Sequence, residues 1–418
     1  MIRKSELIVS FSHTNYVIKN GGTEKFVTEL SQVLQQNEYN HLCFYPFMKR
    51  KKVAGKSIVG FNFNDEFIGV IWVKDIPRVI KYYIQKHNAT LNCFHIHHLK
   101  RHDVQGVLSA IQAFNAKVFI FVHDFRLACI SEHFIDSKGN FCGDDRPNES
   151  KCNSCTFYAE GRVHQLMMDN FIESLSSRIE AVICPSLYVK SVITKVFPHI
   201  ADKIIIRPHL VFFGEKKLEK VNEPRLAFLG RKRDQKGYDK WLDILEIISI
   251  RPYKLFYLGI DVEDDEKVEN IYVSTTTQGK DAMKNAIADN QINCAFLWPQ
   301  CPETYSYVYY ELLMSGVFIV TNEESGNIAD EITTRKNGHI FGTLEECAAW
   351  FDNFNQVVKD LTEYRSNAIV PKRHDTNPDI SMMVCAEGTV EKNTILARKS
   401  LLPLSTMLYK IKYMKNKV

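Results

Sequence analysis

Residues 293–322 read NCAFLWPQCPETYSYVYYELLMSGVFIVTN. The apolar run NCAFLW suits a buried strand, and Pro299 to Ser306, with two prolines, suits a loop. Tyr307 to Met314 has the length and apolar content of a helix, which Gly316 would end. VFIVTN then opens a second strand. A strand, loop, helix and strand in about thirty residues make one unit of a parallel α/β sheet.

The same alternation runs through most of the chain. LIVSF (Leu7 to Phe11), VFIFVHD (Val118 to Asp124) and AVICPS (Ala181 to Ser186) read as strands, the last followed by the helical LYVKSVITKVF. A second series opens at Arg225 with RLAFLG and continues through YKLFYLG, NCAFLW and VFIVTN. Between the two series lies the polar stretch GEKKLEKVNEP, Gly214 to Pro224, which reads as an interdomain linker. After about Asn367 the pattern breaks into polar loop residues, and a basic amphipathic segment begins at Thr394. The expected organisation is a domain over 1–210, a second over 211–385 and a tail over 386–418.

At 418 residues the chain exceeds one ordinary core. Its 45% hydrophobic and 24% charged content is that of a globular protein. A net charge of +4 is too small to argue for nucleic acid. No apolar run approaches the roughly 20 residues that span a bilayer, and the first residues lack the apolar core of a signal peptide. A cytosolic chain with mostly reduced cysteines is the expectation. In the tail, Leu404, Met407, Leu408 and Ile411 share a helical face, with Lys410, Lys412, Lys415 and Lys417 beside it. That pattern suits either peripheral contact with an anionic membrane surface or packing back across the first domain.

Two nucleotide-type domains put ligand chemistry in the loops after the strands. Gly21 and Gly22 precede a helix with apolar positions at Phe26, Leu30, Val33 and Leu34, so a backbone could approach an anion there. In FLGRKRDQKGY, Arg231 and Lys236 stand where a strand meets a helix and could grip a diphosphate from two sides. Glu303 in its loop and Glu311 on its helix would lie roughly 12 Å apart at 1.5 Å per residue. That is near the span from sugar to ribose in a nucleotide sugar, whose vicinal hydroxyls a carboxylate accepts well.

These stretches resemble the GT-B-fold glycosyltransferases of family 4, which are retaining enzymes using nucleotide-diphosphate sugars. The matching motifs are Gly21-Gly22-Thr23-Glu24, Gly230-Arg231 with Lys236-Gly237, and the pair Glu303 and Glu311. They cover about residues 7 to 342, ending on the turn NGHIF at Asn337. The resemblance implies two Rossmann-like domains facing each other across a cleft. It implies that Gly21, Gly22, Arg231 and Lys236 hold the donor diphosphate, that Glu303 meets the donor sugar and that Glu311 meets the ribose. Backbone around Thr304, Tyr305 and Ser306 would touch sugar and phosphates, although Ser306 replaces a glycine common there. His123, followed by Asp124, matches the family's histidine beside the reacting bond. The acceptor would be a hydroxyl of a cell-surface glycan or its lipid-linked precursor. No cofactor is implied, and no Asp-x-Asp motif is present. A same-fold epimerase or hydrolase, or a non-catalytic binding subunit, remains the alternative.

Two further groups stand out. His95, His97, His98 and His102 crowd one stretch and suit acceptor-side or exposed positions, with a metal as the other reading. Cys129, Cys142, Cys152 and Cys155 fall in the loop-rich segment 129–160. Their spacing admits a structural zinc, or simply buried thiols.

Overall fold

The structure is a computed structural model describing residues 5–19, 21–47, 57–136, 138–143, 152–153, 155, 157–218, 223–279 and 281–385. The predicted tail over 386–418 lies outside the described residues.

The first sheet has eight strands: β1 (Ser5–Phe11), β2 (Tyr39–Pro46), β3 (Ile58–Phe63), β4 (Glu66–Trp72), β5 (Ala89–Ile96), β6 (Lys117–Phe121), β7 (Ile179–Cys184) and β8 (Ile204–Ile206). Their order is β4-β3-β2-β1-β5-β6-β7-β8. All pairings are parallel except the edge, where β3 runs antiparallel to both β2 and β4. The side chains of β1 alternate between two cores. Leu7, Val9 and Phe11 join one, and Ile8 joins the other with Phe26, Val27, Leu30 and Leu34 of helix α1 (Gly22–Gln36). Burial on both faces is why the strand reads as a continuous apolar run.

After β9 (Leu210–Lys217) comes the second sheet: β10 (Arg225–Leu229), β11 (Lys254–Gly259), β12 (Val268–Tyr272), β13 (Cys294–Phe296), β14 (Phe318–Asn322) and β15 (Gly338–Phe341). Its order is β12-β11-β10-β13-β14-β15, parallel throughout. Leu226 and Phe228 face one core, Ala227 and Leu229 the other. Strand order reverses between β1 and β5 in the first sheet and between β10 and β13 in the second, and ligands bind outside the carboxyl ends of strands at such points.

Two expectations need correction. Gly214 to Lys217, read as linker, belong to β9, and residues after Asn367, read as loop, form β16 (Ile369–Thr376). The two pair antiparallel from Ile369 with Lys217 to Thr376 with Leu210. Neither strand has a strong apolar alternation, and each finds its backbone partner more than 150 residues away. Beyond β16 the chain returns to the first sheet. Arg207 donates to the carbonyls of Asn377 and Asp379, and Met383, fully buried, offers its carbonyl to His95 Nε2 at 2.7 Å. Asn92 and Cys385 exchange two hydrogen bonds at 2.9 Å. Among the described residues no helix is long and apolar enough to cross a membrane.

Candidate active site

Helix Tyr307–Ser315 follows the predicted span, capped at its start by Ser306 and ended by Gly316 in the left-handed conformation. The loop before it is held from behind. Glu303 N–H donates to the Ser325 carbonyl at 3.2 Å, and Asn327 N–H donates to the Glu303 carbonyl at 2.9 Å. Gly326 makes this approach possible: its φ is +63°, and a β-carbon there would crowd Pro302 and the Glu303 backbone.

Gly237 does the same for the other loop. With φ +79°, it lies so close to the Trp298 carbonyl that no side chain fits. The loop carrying Lys236 is thereby pressed against the loop after β13. Lys236 Nζ and Glu303 Oε1 form an ion pair, and the carboxylate raises the lysine's pKa above its ordinary value. The lysine side chain is half exposed.

This pair lines a cavity of about 80 Å³ together with Gln235, Cys301, Pro302 and Thr304 of the second domain and His123, Asp124 and His133 of the first. Thr304 Oγ1 donates to the His123 carbonyl at 2.7 Å, and Ser186 Oγ donates to the Thr304 carbonyl at 3.0 Å. The structure therefore brings His123, Lys236, Glu303 and Thr304 to one place at the carboxyl ends of both sheets.

His123 is neutral. Burial first, then the nearby His98, pulls its pKa down to about 3. His97 Nδ1 lies 3.3 Å from its Nε2, and the Phe26 ring packs 5.0 Å from its own. For Asp124 burial alone would raise the pKa, yet the adjacent His98, hydrogen-bonded to the carboxylate, and the Arg126 N–H hold it well below the usual carboxylate range. His98 Nδ1 accepts from the Lys100 N–H, so Nε2 carries the proton donated to Asp124 at 2.8 Å.

The remaining predicted residues are spread around this centre. Gly21 and Gly22 are exposed at the start of α1, and Gly22 faces the Tyr307 ring across the cleft. No side chain caps that helix end. Instead Glu24 of its own first turn, 6% exposed, folds back beside Gly21 and accepts from the Thr14 hydroxyl, with His13 Nε2 at 3.2 Å. Glu311 is half-buried. Burial pushes its pKa up to about 7, against the pull of Lys25. Lys25 Nζ stands 4.1 Å over the Tyr307 ring. Arg231 lies outside the small cavity, 3.6 Å from Asp261 and half exposed.

Next to Thr304, the Tyr305 ring packs on His209 and Tyr310, and its hydroxyl accepts from the Leu210 N–H, so this residue has only its backbone to offer the cleft. Ser306 is 9% exposed, its hydroxyl accepts from the Tyr309 N–H, and its own N–H meets Asn327 Oδ1 at 3.4 Å. One further expectation is corrected: the four histidines are not surface groups. His95, His97, His98 and His102 are all at most 6% exposed, because strand β5 and the loop after it carry them into the sheet's interior. As for metals, no group of three or more His, Cys, Asp or Glu is arranged to hold an ion among the described residues. Cys142 Sγ instead donates to the Phe134 carbonyl, and Cys129 Sγ to Ser131 Oγ. Cys152 and Cys155 are half-buried.

The sequence reading missed His133, Gln235 and Lys25. Lys25 carried a signal, since it directly follows the Gly-Gly-Thr-Glu motif on the first turn of a helix. His133 and Gln235 carried none that local spacing could reveal.

No family model matches this sequence, and no curated protein matches it. Solved structures do. A glycosyltransferase from Rickettsia africae ESF-5 matches 87% of this chain and 93% of its own, with TM-score 0.53 and 11% identity. Sucrose-phosphate synthase from Thermosynechococcus elongatus matches 86% and 94%, with TM-score 0.52 and 12% identity. Anabaena HepE in complex with UDP matches 87% and 93%, with TM-score 0.50 and 11% identity. At such identities the likeness is one of fold. The fold is GT-B, two Rossmann-like domains facing each other across a cleft.

Proposed function

We propose that this chain transfers a glycosyl group from a nucleotide-diphosphate sugar to a hydroxyl acceptor. The observation that carries the reading is the meeting of Lys236, Glu303 and His123 at one cavity between the carboxyl ends of two parallel sheets. Binding of UDP by HepE, a protein of like fold, supports the donor class.

In the reaction the bond between the sugar's anomeric carbon and the diphosphate breaks, and a bond to the acceptor oxygen forms. The acceptor's proton passes to the departing phosphate. Lys236, charged at any physiological pH, stabilises the developing negative charge, and Arg231 adds to it from the same loop. One Lys236 N–H can stay on Glu303 while another turns to phosphate, since an ammonium has three donors. Glu303 accepts from sugar hydroxyls and fixes the anomeric carbon's position. Neutral His123 offers a polar edge without repelling the positive charge that grows on the sugar ring. Glu311 takes the ribose. Retention of configuration, which the family resemblance implies, fits proton transfer to the leaving phosphate on the face it departs from. We assign the acceptor to residues 1–210, the donor to residues 211–385, and the acceptor class to a cell-surface glycan or its lipid-linked precursor.

The test is a thermal-shift screen of the full chain against UDP-, GDP- and dTDP-sugars, because a ligand that binds only the folded state raises its apparent stability. The stabilising donor is then assayed for transfer to hydroxyl acceptors. No stabilisation by any donor would end the reading. Isomerised donor in the absence of acceptor would move the chain to the epimerases.

A further inference from the structure

A second cavity, of about 720 Å³, lies at the opposite end of the second sheet from the cleft. It opens where β14 and β15 begin, at Phe318 and Gly338, and is closed by helix Phe354–Asn367 and the first residues of β16. Its size is within the roughly 300–1,000 Å³ of small-molecule sites.

Two polar groups on its wall have no partner. Asn337 is 1% exposed; its Oδ1 accepts from the Tyr309 hydroxyl at 3.0 Å, and its Nδ2 is unpaired. Tyr364 is 9% exposed, and its hydroxyl is unpaired as well. Burial pushes that phenol's pKa up to about 12, so it keeps its proton. A buried donor left without an acceptor costs free energy that a ligand oxygen would recover.

The charges on the rim narrow the ligand class. Arg335 is held by Glu331 at 2.6 Å, and His339 by Asp360 at 3.0 Å. Asp360 also accepts from Trp350 and Gln356. Lys336 and Glu363 have no ion-pair partner among the described residues, and their charges cancel. The remaining wall includes the rings of Phe318, His339 and Tyr364, with Phe318 5.0 Å from His339 and 5.5 Å from Tyr364. A phosphate or nucleotide would find no excess positive charge there. A lipid chain would leave the two buried donors unmet.

We propose that this cavity is a second carbohydrate site, which binds a neutral oligosaccharide away from the cleft. Sugar hydroxyls accept from Asn337 and Tyr364, adjacent hydroxyls donate to Glu363 and accept from Lys336, and the C–H faces of the sugar lie on the rings. The class follows from the cavity's own groups, so this proposal and the proposed reaction can fail separately.

Calorimetric titration of the full chain with maltotriose, cellotriose and triacetylchitotriose tests it. At least one trisaccharide should bind saturably, and Glu303→Ala, altered only in the cleft, should bind it as the unaltered chain does. Tyr364→Phe should weaken binding about tenfold, the loss of one hydrogen bond. It should not lower Tm, because the hydroxyl has no partner in the fold. Glu363→Gln, at an exposed position, should weaken the same sugar in a variant whose folding is not in question. Failure of all three sugars to bind overturns the proposal, as does binding by inorganic phosphate alone. Loss of binding in Glu303→Ala, or full affinity in both Tyr364→Phe and Glu363→Gln, overturns it equally.

Discussion

The two walls of the cleft handle charge in opposite ways. On the wall of the first sheet, His97, His123 and His209 are buried, and burial drives the pKa of each far below the usual imidazole range. On the facing wall, Lys236 is paired with Glu303, Arg231 lies near Asp261, and Lys232 lies near Glu263 at 3.5 Å. Each of these cation–carboxylate pairs has at least one half-exposed partner. A neutral wall suits hydroxyls and a sugar ring gaining positive charge, and a charged wall suits a diphosphate. On the proposed function, the second domain holds the donor through its cations and Glu303, while the first presents uncharged imidazole to the reacting centre, with Glu303 at the seam.

The largest effect expected is at that seam. Glu303→Ala should cut turnover by about 100-fold or more, since a lost charge-assisted hydrogen bond is followed by misplacement of the sugar. Free nucleotide diphosphate should bind undiminished, because Lys236 is released from its partner. Calorimetry beside a transfer assay checks both. Weakened nucleotide binding would break the division of labour.

Glu311→Ala should instead weaken nucleotide diphosphate and intact donor alike, by roughly ten- to a hundredfold. A pH series sharpens this. The folded pKa is raised from 4.5 to about 7, so the carboxyl is mainly protonated below that point. If the ribose is taken by the ionised form, affinity should rise as pH increases through about 7 and level off above it. The contribution to folding stability has the opposite sign. The cost of burying the ionised form is absent below 4.5 and grows as pH rises through about 7. Glu311→Gln should flatten both dependences.

At saturating donor, His123 should add no limb to turnover across about pH 5 to 8, where an ordinary histidine titrates, because its pKa is held near 3. A limb near 6.5 that disappears in His123→Asn would show that His123 carries charge after all.

The first wall is not wholly uncharged: Asp124 beside His123 is ionised, and Lys25 is a cation that reaches Tyr307 of the other wall. Lys25→Ala should cost about 0.5–1 kcal/mol, a two- to fivefold loss of donor affinity. It should also move the pH midpoint of nucleotide binding upward, since Lys25 favours the ionised form of Glu311. An unmoved midpoint would separate the two residues.

Much of this molecule was open to reading from local pattern. The strand, loop and helix across residues 294–316 follow from two backbone periods and a terminal glycine, and the structure has them at Cys294–Phe296, Tyr307–Ser315 and Gly316. Such features depend on hydrogen bonds between near neighbours and on side chains facing one core, so composition along a short window determines them. The antiparallel ribbon of β9 and β16, the burial of four histidines and the inward ring of Tyr305 depend on partners far along the chain, which no window contains. The ion pair of Lys236 and Glu303 joins residues 67 apart, and the contact of Thr304 with His123 joins residues 181 apart. The residue types at each loop were visible in the sequence. Which of them meet, and with what charge, was decided only when two glycines without room for a side chain pressed the loops together and burial set the protons.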